Sequence, residues 1–132
     1  MNPLNYASLE ASKRLVEAGI VLETEAGWYK IFRPGCHSFD MVLSMRSGNE
    51  KFYGDNYPAP SMAEVWRELP ETALQPCRDT TTGYCHEYLS LQKDGDLTVA
   101  GYGEYSEIGR NSNPTDALID LLIWEGKEAS HE

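Results

Sequence analysis

The 132-residue sequence predicts an α+β fold, an antiparallel sheet of about five strands with helices packed on one face, in the order αβββαββα. Three observations carry that prediction: two helix starts with well-marked caps, at Ser61 and Asn113; a hairpin-like run from Tyr84 to Tyr102; and 41% hydrophobic against 24% charged residues, the balance of an ordinary globular chain. Length fits a single domain over residues 1–126, with residues 127–132 as a flexible C-terminal tail.

The elements follow in order. From Leu4 to Ala18 the apolar positions Leu4, Ala7, Ala11, Leu15 and Ala18 keep helical spacing, and Gly19 is placed to end the helix. "IVLETEAGWYKIF" reads as two short strands about a turn at Ala26-Gly27, and "FDMVLSM" as a third strand after the Pro34-Gly35 turn. Arg46 to Pro60 reads as a long surface loop, a kind of segment that often carries function. Ser61 and Glu64 make a capping box, Met62, Val65, Trp66 and Leu69 form an apolar stripe behind it, and Pro70 stops the helix. A hairpin follows, with strands from about Tyr84 to Gln92 and from Leu97 to Tyr102. A Gly/Asn-rich connection then leads to the last helix, where Asn113 is the N-cap, Pro114 the first helical residue and Asp116 a first-turn anion.

That last helix is apolar around most of its circumference, through Ala117, Leu118, Ile119, Leu121, Leu122, Ile123 and Trp124. One sheet covers one side only. The second cover is either the first helix or another subunit, so a homodimer is expected.

Eleven basic against twenty-one acidic residues give a net charge of −10, which disfavours a nucleic-acid duplex or an anionic membrane as partner. The first residues lack the pattern of a signal peptide, and no stretch approaches the ~20 apolar residues that span a bilayer. A cytoplasmic location is therefore expected, with Cys36, Cys77 and Cys85 as reduced thiols.

Catalytic signatures are weak. Cys36-His37 and Cys85-His86 offer zinc ligands, but adjacent strand residues point to opposite faces and no C-x-x-C spacing occurs, so no metal is expected. Glu64/Glu68 and Asp116/Asp120 stand at i,i+4, a spacing that suits Mg²⁺ or acid–base work and equally suits a solvated helix face. Neither catalysis nor a cofactor is expected. Aromatics near turns, above all Trp28, Tyr29 and Tyr105, could stack on a planar base, and Arg33 and Arg110 could meet its phosphates. The helix start formed by Asn111, Asn113 and Thr115 could add backbone N–H donors to the same anion.

Three stretches, "NYASLEASKRLVEAGIVLETE", "APSMAEVWRELPE" and "NPTDALIDLLIW", resemble small uncharacterised phage and prophage proteins of gut bacteria. The class is similar to phage-encoded sponges that sequester cyclic nucleotides or ADP-ribose-derived immune signals. That resemblance implies a non-enzymatic anti-defence protein in the cytoplasm of an infected host, binding a small nucleotide-derived ligand. The alternatives are an adaptor or inhibitor that uses an exposed loop at Phe52 to Tyr57 and an acidic surface to block a basic host protein, and a signal-cleaving phosphodiesterase that uses the carboxylate pairs.

Overall fold

The computed structural model describes residues 2–32, 35, 38–45, 52, 56–76, 83–103 and 108–129. Among them are three helices and two antiparallel sheets. A 3₁₀ turn at Pro3–Asn5 precedes α1 (Leu9–Glu17), β1 (Ala26–Phe32), β2 (Phe39–Met45), β3 (Tyr57–Pro58), α2 (Met62–Glu68), β4 (Thr72–Pro76), β5 (Tyr84–Asp94), β6 (Leu97–Tyr102), β7 (Gly109–Asn111) and α3 (Pro114–Ala129). The strands divide into β2-β1-β3 and β4-β5-β6-β7, so the α+β class holds while the expected single sheet of about five strands is replaced by two.

Local chemistry sets the helix starts. Ser8 caps α1 by accepting the Ala11 N–H at 3.1 Å, which starts the helix later than Leu4; before it, the Ala7 N–H donates to the Pro60 carbonyl at 2.9 Å. Gly19, at φ +74°, takes the left-handed conformation that ends the turn. The capping box of α2 is present, and the Glu64 carboxylate also accepts the Glu25 N–H at 3.1 Å, which accounts for its burial. Val65 and Leu69 face the core as their spacing predicts, whereas Trp66 stands half out in solvent. At α3 the Asn113 side chain accepts from the Thr115 N–H at 2.9 Å and the Asp116 N–H at 3.4 Å.

Two turn assignments change. Ala26-Gly27 is not a turn: both residues lie inside β1, and Gly27 pairs with Ser44 on one side and Pro58 on the other. The glycine is there because Phe52 lies against it, 2.2 Å from where a Cβ would sit. The first hairpin instead joins β1 to β2, closing at the Phe32–Phe39 pair. The Gly/Asn-rich run before α3 likewise contains a strand, β7, at which a Cβ on Gly109 would fall 1.9 Å from the Ala117 carbonyl oxygen of α3. A glycine that reads as a loop marker is needed here for close backbone approach. The second hairpin is as expected and tighter, with Asp94 opposite Leu97 and Gly95 at φ +63°.

The core gathers around α3. Ala117, Leu118, Ile119, Leu121 and Leu122 are each at most 6% exposed within one chain. The helix touches β6 and β7 on one side and α1 and α2 on the other, so the second cover comes from the chain's own helices. Full burial of each Leu or Ile side chain contributes about 1.5–3 kcal/mol as an upper figure. The helix runs through Ala129, three residues past the expected domain end, while residues 130–132 lie outside the described residues. Among the described residues no helix is long and apolar enough to cross a membrane.

Candidate functional site

The hydrogen-bonding groups around the start of α3 are engaged by the chain itself. Residues 4–8 lie across that start. The Asn113 amide donates to the Tyr6 carbonyl at 3.1 Å, the Thr115 hydroxyl donates to the Leu4 carbonyl at 3.2 Å, and the Ser8 N–H donates to the Asp116 carboxylate at 2.9 Å. Asn111 accepts the Asn113 N–H at 2.9 Å, and the Trp28 indole donates to the Ala7 carbonyl at 2.9 Å. Thr115 and Asp116 are buried as a result. The positive end of the helix thus faces its own carboxylate, which supplies the charge an incoming phosphate would bring.

The other residues expected at a base-and-phosphate site lie apart. Tyr29 follows Trp28 on β1 and so faces the opposite side of the sheet, stacked on Phe52 with ring centroids 5.8 Å apart. Arg110 is on β7 of the other sheet, exposed and ion-paired with Asp94. Arg33 and Tyr105 lie outside the described residues. The structure therefore brings Trp28, Asn113 and Thr115 to one segment, where they hold the N-terminal residues, and it separates them from Arg110.

Three of the four carboxylates in the Glu64/Glu68 and Asp116/Asp120 pairs are also engaged, while Glu68 is exposed. Glu64 holds Ser61 and Glu25, Asp116 holds Ser8, and Asp120 pairs with Arg14. Burial raises the Asp120 pKa, and the neighbouring Arg14 charge lowers it by less. Among the described residues no group of three His, Cys, Asp or Glu side chains could hold a metal ion; Cys36, His37 and Cys77 fall outside them.

Exposed large apolar side chains occur at several places among the described residues, and they gather most densely on the β1–β2 hairpin. Its register puts Trp28 opposite Leu43, Lys30 opposite Met41 and Phe32 opposite Phe39 on one face, with Tyr29 opposite Val42 and Ile31 opposite Asp40 on the other. Near its base the hairpin is held. Trp28 is tied to Ala7, Phe52 lies on Gly27 and Tyr29, and the Asn56 side chain accepts the Lys30 N–H at 2.9 Å. Further along the support ends: Ile31 is 49% exposed, Phe32 66%, Phe39 47% and Val42 38%. The Phe32 and Phe39 rings meet edge to face at 6.2 Å, and Lys30 Nζ stands 3.9 Å from the Phe39 centroid. With Met45, 51% exposed, five large apolar side chains are exposed across the two faces of one hairpin, exposure of the kind that marks an interaction surface.

Sequence reasoning placed strands on these two runs, expected another in Ile20 to Glu25 where the structure has none, and missed this surface. The signal was available: "WYKIF" and "FDMVLSM" are apolar at both alternating positions, so neither face of a two-stranded hairpin is a water face. From Ala26 to Met45 the sequence carries Lys30 and Arg33 against Asp40, two positive and one negative, or +1 in a chain of net −10.

These features define an α+β protein with a well-covered helical core and a hairpin with exposed apolar side chains. Compared with known proteins, the chain matches no family model, no curated protein and no solved structure.

Proposed function

We propose that the protein is a non-enzymatic binding protein that inserts its β1–β2 hairpin into an apolar groove with an acidic rim on another protein, and so acts as an adaptor or inhibitor. The observation that carries this reading is the exposure of Ile31, Phe32, Phe39 and Val42 on one hairpin. Apolar side chains at the contact supply affinity, and a net positive hairpin in an acidic chain selects an acidic rim. The resemblance to phage proteins points to a host protein as the target. A nucleotide-signal sponge is the competing expectation, and it draws on Trp28, Asn113 and Thr115, whose hydrogen-bonding groups the N-terminal segment already engages.

The experiment places a photocrosslinking amino acid at Val42, exposes host-cell extract, and repeats the capture with Phe32→Thr/Phe39→Thr and with Arg110→Ala. One polypeptide crosslinked at Val42, lost in the double variant and kept with Arg110→Ala, is the expected result. In parallel the protein is heated with a panel of adenine and cyclic nucleotides, with and without Mg²⁺. A ligand-dependent rise in melting temperature without any Val42 crosslink overturns the hairpin reading in favour of a sponge, and a chemically altered nucleotide overturns it in favour of a phosphodiesterase.

A further inference from the structure

A concave feature, remote in sequence from the hairpin, lies where α2 hands over to β4. It is a cleft of about 380 Å³ lined by Trp66, Leu69, Glu71, Tyr88 and Leu89. We infer that this cleft binds an organic cation, an alkylammonium or guanidinium group carried on an apolar stem, with Trp66 against the cation and stem and the Glu71 carboxylate as counter-charge.

The position of the cleft follows from the sheet. β5 changes partners at this point: up to Tyr88 it pairs with β4, and from Leu89 onward with β6. The exchange is locked by backbone bonds, with the Leu89 N–H donating to the Glu71 carbonyl at 2.9 Å and the Gly103 N–H donating to the Tyr88 carbonyl at 2.9 Å. The Tyr102 hydroxyl donates to the Pro70 carbonyl at 2.7 Å and fixes the connection that carries Glu71. The cleft is thus framed before any ligand arrives, which keeps the ordering cost of binding low.

Its lining is unusual for this chain. Trp66 is 42% and Tyr88 66% exposed, while Leu69 is buried and Leu89 packs on the core. The apolar spacing of α2 places Trp66 in the core stripe, and the structure turns it to solvent at the cleft instead. Glu71 is exposed, and among the described residues no cation pairs with it. An aromatic face with an uncompensated carboxylate attracts a cation and repels a phosphate or carboxylate ligand. The site is independent of the proposed hairpin contact.

The test uses full-length ¹⁵N-labelled protein titrated with Nα-acetyl-arginine amide, the neutral isostere Nα-acetyl-citrulline amide, agmatine, and an end-blocked Gly-Arg-Gly peptide. The expected result is saturable shifts of the Trp66 indole and the Glu71 and Leu89 amides with the cations and none with citrulline. Glu71→Gln should weaken binding about fivefold, Trp66→Leu should abolish it and Trp66→Phe should keep most of it. Spectra of each variant without ligand confirm folding, so a lost shift reports the site. Tighter binding of agmatine than of the peptide assigns the cleft to a free amine, and the reverse assigns it to an Arg or Lys side chain of a polypeptide. Equal shifts with citrulline, or binding unchanged in Glu71→Gln and Trp66→Leu, overturn the inference. Because Ile31, Phe32, Phe39 and Val42 are untouched, failure here leaves the hairpin reading standing.

Discussion

The two halves of the molecule treat their apolar residues in opposite ways. Around α3 each large apolar side chain from Leu118 to Leu122 is covered, and the polar groups at the helix start are matched by residues 4–8. On the β1–β2 hairpin, Phe32 and Phe39 are left partly in water with the Lys30 ammonium over both rings. The same residue types do different work in the two places: where they are closed off they hold the fold, and where they are open they are free to hold something else. A substitution should therefore act on stability near α3 and on binding at the hairpin.

The largest effect is expected from Leu118→Ala, which removes buried methyl groups from the centre of the core and should destabilise by about 2–5 kcal/mol, read from chemical denaturation midpoints. Gly109→Ala comes next. The added methyl would meet the backbone of α3 at Ala117, which cannot swing away as a side chain would, so a loss of about 1–3 kcal/mol is expected. Asn113→Ala removes the cap of α3 and the bond to Tyr6 together, and should cost about 1–2 kcal/mol, with faster amide exchange in residues 4–8 as the specific sign. A stability loss without that local exchange would mean that the cap alone matters and the clasp on the N-terminal segment does not.

How far this division could be read in advance depends on the kind of signal. The caps at Ser61 and Asn113 were legible because capping is local: a side chain satisfies backbone donors two or three residues away. The two-sided demand of α3 was legible too, since it is a property of one helix's own periodicity. What supplied the second side was not, because α1 and α2 reach α3 only through tertiary packing. Gly27 and Gly109 misled for one reason. A glycine required by a neighbour's close approach looks in sequence like a glycine required by a turn. The expected ligand residues pose a different question. Asn113 and Thr115 have the right chemistry for a phosphate, and the same chemistry suits the carbonyls of Leu4 and Tyr6, which the chain delivers first.

A smaller effect sharpens the picture where α1 meets α3. Burial raises the Asp120 pKa above its ordinary 3.8, against the opposing pull of Arg14 and with help from Asp116 and Glu10. Between that ordinary value and the raised one, the folded state holds a proton that the unfolded chain has released. Stability from this group therefore falls as pH rises through the window, and is greater on the acid side. The difference in melting temperature between wild type and Asp120→Asn should shrink or reverse as pH rises from about 4 to 7, by roughly 1–2 °C. A difference that grows with pH would mean that the Arg14 ion pair outweighs desolvation.

A small expected effect on stability is the most informative about function. Phe32→Thr with Phe39→Thr keeps strand-compatible side chains and removes two rings that are about two thirds and half exposed, so the change in stability should stay within about 1.5 kcal/mol, the size of their mutual ring contact. In the closed half, two such truncations would unfold the protein. If the double variant instead loses more than about 2 kcal/mol, the rings are structural, and the division between a covered half and an open hairpin fails. If stability holds while capture at Val42 is lost, apolar area that adds little to folding is spent on binding. A stable chain of net charge −10 that keeps two phenylalanines exposed at the end of a +1 hairpin has then placed them for a partner.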